Sequence, residues 1–232
     1  MPDFSAHSSA APVAPPIAGL YVAGLDLIRG EQQLARQLTF TVAAGTALVV
    51  VGANGSGKST LLRCIAGLLP FERGSIELEG RGEMPIAALA HYLGHQEAMK
   101  PALTVGENLH FWARMLRSEG AGAAEGLAQG LAPAAALERF GLAHVVDTPA
   151  GYLSAGQRRR AALARLLVVS RPLWLLDEPT AALDAASVKK LTEVMAGHLN
   201  AGGLIVAATH DELGIAAQTL RLGEQIDEED GP

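Results

Sequence analysis

The apolar run Ala47-Leu48-Val49-Val50-Val51 ends at Gly52, and the chain continues Gly52-Ala53-Asn54-Gly55-Ser56-Gly57-Lys58-Ser59-Thr60. This fits G-x-x-x-x-G-K-[ST], the loop that grips phosphates between a buried strand and a helix. The glycines let the backbone curl until successive N–H groups face an anion, and a helix opening at Ser59 adds the positive end of its dipole. Such a loop requires a strand ending at its mouth and a helix leaving it, the repeating unit of a parallel sheet covered by helices. The chemistry of the pattern assigns Lys58 to the β- and γ-phosphates of a nucleoside triphosphate and the Ser59 hydroxyl to Mg²⁺.

The remaining patterns agree with an α/β fold. Between residues 20 and 51, short alternating or apolar runs and a turn at Gly45 predict strands. A helix is expected from Ser59 to about Leu69, then a turn and short strand over residues 74–80. From 104 to 170 the period becomes helical: Leu109, Trp112, Ala113 and Leu116 share a face, as do Leu163, Leu166 and Leu167. That stretch, about 97–170, is the expected helical lobe, with Trp112 and Met115 in its core. Residues 120–136, rich in Ala and Gly with Pro133 near the end, read as a loop or loosely held helix. Beyond Pro172, residues 173–177 read as a central strand, 185–199 as a helix and 204–208 as another buried strand. Ligands of such sheets bind at the carboxyl ends of the strands, where Gly52, Asp177 and His210 fall.

Composition narrows the partners. The 232 residues suffice for one domain, expected over 19–223, and the formal charge of −6 without a basic stripe argues against a nucleic-acid partner. The single cysteine, Cys64, can form no internal disulfide and is expected in the core, consistent with a reducing cytoplasmic compartment. Residues 1–18 carry no basic leader and are interrupted by Pro12, Pro15 and Pro16, so a flexible tail is expected; residues 224–232 read as an acidic tail. No apolar run reaches the ~18 residues a membrane span needs, so any membrane role must come through a partner.

The second half of the chemistry lies further along. Asp177, ending an apolar strand, can hold the Mg²⁺ of a bound triphosphate, and Glu178 can orient and polarise an attacking water. Leu153-Ser154-Ala155-Gly156-Gln157, opening an Arg-rich helix, resembles the LSGGQ signature of ABC-type ATPases, and the order of motifs is that family's throughout. The resemblance covers about residues 20–222. It implies a P-loop NTPase fold of ABC ATPase type: a mixed or parallel sheet core, a small antiparallel β subdomain and a helical lobe.

By the same resemblance, Gln96 is the Q-loop residue touching Mg²⁺, residues 181–184 are the D-loop, and His210 is the switch histidine contacting the γ-phosphate. Ser154, Gly156 and Gln157 serve the ATP held by the opposite protomer, so a homodimer with two composite sites is implied. The family's adenine-stacking aromatic is replaced by Arg29, which either stacks on the base or is a surface arginine in a turn.

The runs YLGHQ (92–96), KPALTVGENL (100–109) and RPLWLLDEP (171–179), with Ala155 in the signature, look like the ATP-binding subunits of haem exporters in cytochrome c maturation. This implies a dimer beneath a multi-spanning, CcmB-like membrane subunit, a further CcmC-like subunit, and hydrolysis that releases a haem-loaded periplasmic chaperone. Direct haem binding is not expected: His91 and His95 are read as packing or hydrogen-bonding groups. Glu97 stands where the usual pattern has glycine. Two alternatives stay open, an ABC ATPase serving another exporter or a lipid- or lipoprotein-handling system, and a nucleotide-gated assembly subunit with incidental hydrolysis.

Overall fold

The computed structural model describes residues 17–30, 32–118 and 130–223. The acidic tail, nearly all of the N-terminal tail and residues 120–129 of the Ala/Gly-rich stretch lie outside the described residues.

Two sheets enclose one helix. Strands β1 (Gly19–Arg29), β2 (Gln32–Ala43) and β4 (Ser75–Glu79) form an antiparallel sheet in the order β2-β1-β4. Strands β5 (Ala90–Leu93), β6 (Leu173–Asp177), β7 (Leu204–Ala208), β3 (Ala47–Val51) and β8 (Gln218–Arg221) form an all-parallel sheet in that order. Helix α1 (Lys58–Ile65) lies between them. Its Leu61, Leu62, Cys64 and Ile65 pack with Leu20, Leu25 and Leu27 of the small sheet and with Leu48, Val50, Leu175 and Val206 of the large one.

The other face of the parallel sheet carries Trp174, Leu176, Ile205 and Ala207. Against it pack α3 (Val105–Ser118), α4 (Pro133–Arg139), α5 (Ala155–Val168) and α6 (Ala185–Asn200). Alternate residues of β6 and β7 thus enter different cores, and both strands are buried along their whole length. This is why they read as unbroken apolar runs and not as alternating ones. The short helix α2 (Ile86–Leu89) leads into β5.

Helix α1 is shorter than the expected 59–69. Gly67 takes a left-handed φ of 72°, its N–H donates to the Cys64 carbonyl, and the Leu68 N–H donates to the Arg63 carbonyl. This Schellman closure satisfies the last carbonyls and turns the chain outward, leaving Leu68 57 % exposed. The end of the Ala/Gly-rich stretch is helical, with Pro133 in the first turn of α4, where its missing N–H costs nothing. Trp112 is half-buried: Arg165 covers its ring at 4.1 Å and its indole N–H donates to the Ala98 carbonyl at 3.2 Å. Met115 is likewise half-buried against the core.

Candidate functional site

Beyond β3 the chain needs two glycines for steric reasons. A β-carbon on Gly52 would strike the Leu222 carbonyl oxygen and approach Ser56 Oγ at 2.8 Å, and one on Gly57 would press on the Leu34 side chain at 3.1 Å. Both also hold positive φ, 150° and 103°. Gly57 caps α1, so the first N–H groups of that helix open toward the cleft.

Lys58 is buried, and its ammonium donates to the carbonyls of Gly52 at 2.6 Å and Ala53 at 3.1 Å. His210 Nε2 lies 3.3 Å from the same ammonium, which brings the residue after β7 and Thr209 to the loop. Ser56 Oγ is buried without a partner among the described residues, an unspent hydroxyl inside the loop.

Arg29, Asn54, Gly55, Gly57, Lys58, Ser59, Thr60, His95, Asp177 and Glu178 line one cleft at the carboxyl ends of the strands. Asp177 closes β6 and is buried. Glu178 continues the ladder through its N–H to the Ala208 carbonyl at 2.8 Å, yet holds a left-handed φ of 47°. A conformation costly for a residue with a β-carbon at this point indicates that the surroundings dictate its direction. Thr180 Oγ1 donates to Asp211 at 2.8 Å, and the Asp211 N–H donates to Thr209 Oγ1 at 3.0 Å, tying the loops after β6 and β7 together.

Ser59 and Asp177 offer hard oxygen donors suited to Mg²⁺. Among the described residues, no group of three or more His, Cys, Asp or Glu side chains is arranged to hold a metal ion.

Ser154, Gly156 and Gln157 are absent from this lining. They form the N-terminus of α5, where Ser154 Oγ accepts from the Gln157 N–H at 3.2 Å and Gln157 Oε1 accepts from the Ser154 N–H at 2.9 Å. This capping box uses the hydroxyl as an acceptor and leaves its proton free to donate. Tyr152, two residues ahead, is 83 % exposed. Gln96 is exposed and also outside the lining, whereas its neighbour His95 is inside it.

Of the two histidines expected to be packing or hydrogen-bonding groups, His91 is both, whereas His95 is exposed and lines the cleft. His91 is buried with Nε2 2.8 Å from the Val169 carbonyl, and burial, reinforced by Arg171, lowers its pKa to about 3. Sequence reasoning also passed over Arg159, a buried arginine beneath the cleft. Adjacency to Gln96 was the available signal for His95. For Arg159 there was only its place in the helix that Ser154 opens.

The fold and this cleft define a phosphate-loop ATPase of the transporter-associated kind: the family model for ABC transporters matches residues 35–181, and the chain belongs to that family. Its relatives are narrower in kind. The chain is 50 % identical over 201 residues, 86 % of its own length and 96 % of the relative's, to the cytochrome c biogenesis ATP-binding export protein CcmA of Rhodopseudomonas palustris (strain BisB5). It is 50 % identical over 206 residues, 88 % and 97 % respectively, to the protein of the same name from Rhizobium meliloti (strain 1021). Among solved structures, a putative ABC transporter ATP-binding protein from Pyrococcus furiosus has the same fold, with a TM-score of 0.73 at 24 % identity, covering 88 % of this chain and 98 % of that one.

Proposed function

We propose that this chain is the ATP-hydrolysing subunit of an ABC exporter serving cytochrome c maturation, and that it works as a homodimer with two composite sites. One arrangement carries the hydrolytic reading: the Lys58 ammonium, the His210 ring and the Asp177-Glu178 pair gathered around a single loop mouth.

On this reading the N–H groups of residues 52–60 and the start of α1 cradle the phosphates of ATP, and Lys58 exchanges its bonds to the Gly52 and Ala53 carbonyls for phosphate oxygens. The Ser56 hydroxyl gains the acceptor it lacks. Ser59, Asp177 and Gln96 would hold Mg²⁺, which would supply charge neutralisation on the phosphates. Glu178 orients and polarises the attacking water; near neutral pH a glutamate is a weak base, so placement contributes more than basicity. His210 leaves Lys58 to contact the γ-phosphate and steady that water. Arg29 stacks on the base. Ser154 and the N-terminus of α5 in the second copy complete the γ-phosphate's surroundings, with Gly156 giving close backbone approach and Gln157 holding Ser154.

The cargo is assigned through the relatives. At about 50 % identity over most of their length, they support a place on the cytoplasmic face of the inner membrane, docked to a CcmB-like membrane subunit and working with a CcmC-like one. Among the described residues no helix is long and apolar enough to cross a membrane, which fits a peripheral subunit. The expected output is release of a haem-loaded periplasmic chaperone. Deletion of the gene followed by staining for covalent haem on c-type cytochromes tests this: haem attachment is lost, and the parent chain restores it while Glu178→Gln does not. Unchanged haem attachment in the deletion refutes the cargo.

A further inference from the structure

Arg159 lies in the second turn of α5 with its side chain 2 % exposed. Its Nη1 donates to the Gly94 carbonyl at 3.1 Å, and its Nη2 donates to the Asp177 carbonyl at 3.0 Å and to the Glu178 carbonyl. Gly94 follows β5 immediately and precedes His95 and Gln96; Asp177 ends β6. One guanidinium therefore clamps the carboxyl ends of two neighbouring strands to the helix that Ser154 opens.

The choice of partners is informative. All three acceptors are backbone carbonyls at a point where the β5–β6 ladder has run out, and one belongs to the residue with left-handed φ, Glu178. A guanidinium is planar and rigid in its fork, so it fixes the relative orientation of the peptides it bridges, which a flexible ammonium does poorly. Burial disfavours the charge of Arg159, while the carboxylates of Glu97, Asp177 and Glu178 favour it. The cation is thus held in place by the acidic groups it helps to arrange.

We propose that Arg159 is a positioning residue for hydrolysis: it holds the Asp177-Glu178 backbone so that the Glu178 carboxylate faces the cleft, and it links that setting to the Gly94 end of the His95-Gln96 loop and to the helix bearing Ser154. The inference rests on the reading of Glu178 as the hydrolytic carboxylate. The strained peptide at Glu178 is kept by a side chain of the signature helix, so movement of α5 reaches the hydrolytic carboxylate directly.

The test uses the full chain in its assembled form with four variants, Arg159→Met, Arg159→Lys, Glu178→Gln and Arg159→Met/Glu178→Gln, measuring ATP affinity, kcat and Tm. Because a misplacement of about 1 Å costs roughly 100-fold in rate, kcat is expected to fall about 100-fold in Arg159→Met and about tenfold in Arg159→Lys, with ATP affinity within about twofold of the parent. Arg159→Lys guards against a failure of the methionine variant to fold. In the Glu178→Gln background, the methionine substitution should lower the residual rate by less than about threefold, because its effect acts through Glu178. Losses that multiply fully in the double variant, or a fall in affinity matching the fall in kcat, overturn the proposal. If Glu178→Gln stops turnover while both Arg159 variants keep it, this inference alone fails. If Glu178→Gln itself keeps full turnover, the catalytic reading fails and the inference with it.

Discussion

The two ends of the chemistry are built differently. Around the phosphate loop the charged groups are tied down: Lys58 to two carbonyls and near His210, Asp177 in a fully buried strand, and Glu178 in a left-handed turn beside Arg159. At the start of α5, Ser154 is exposed, its hydroxyl accepts within its own cap, and it stands outside the cleft. An N-terminus with an available hydroxyl proton and an exposed Tyr152 beside it is suited to meet something beyond its own chain. The contrast teaches what the proposed composite site asks of each copy: an attacking side organised within one chain, and elsewhere on its surface a cap with a hydroxyl proton to spare.

Variants can break this comparison. The largest effect is expected at the tied-down end: Glu178→Gln lowers kcat about 1,000-fold while ATP still binds, measured by phosphate release and by binding of a fluorescent ATP analogue. Lys58→Ala comes next, weakening ATP about 100-fold in the same binding assay, since a buried cation facing a polyphosphate is removed. Ser154→Ala sharpens the contrast: ATP affinity of the isolated chain is unchanged, turnover of the assembled protein falls about tenfold, and loss of the cap removes about 1 kcal/mol of stability in chemical denaturation.

The effect smallest for turnover near neutral pH is one on the fold, a pH dependence of its stability. Burial lowers the pKa of His91 to about 3 and that of His198, stacked on Trp174, to about 4. Both folded values lie below the ordinary 6.5, so above pH 6.5 both rings are neutral folded or unfolded, and between pH 6.5 and 4 the unfolded chain takes up protons that the folded one does not. Stability should fall on acidification through that window, by up to about 1.4 kcal/mol per pH unit for each histidine. Denaturation midpoints from pH 7.5 to 4.5 check this, and His198→Phe, which keeps a ring on Trp174, should flatten the slope.

The legibility of the chain follows the range of its interactions. The phosphate loop, β6 with Asp177-Glu178, and α6 were readable because each is a local pattern. The strand β5 was not: it contains His91, whose burial is made tolerable by a carbonyl 78 residues away. Nor was β8, a mostly exposed edge strand with the polar sequence QTLR. The stop of α1 was available in Gly67, a left-handed residue just past the last helical turn. Arg159 could not be singled out among three consecutive arginines, because its partners lie 65, 18 and 19 residues away and only the folded sheet brings them together.

The most direct test of the composite site is to mix two variants that are each inactive, Lys58→Ala and Ser154→Arg, by co-assembly. A head-to-tail dimer of the two contains one site with both Lys58 and Ser154 intact, so turnover should return to about a quarter of the parent's under random pairing. A mixture as inactive as either variant alone would contradict the account.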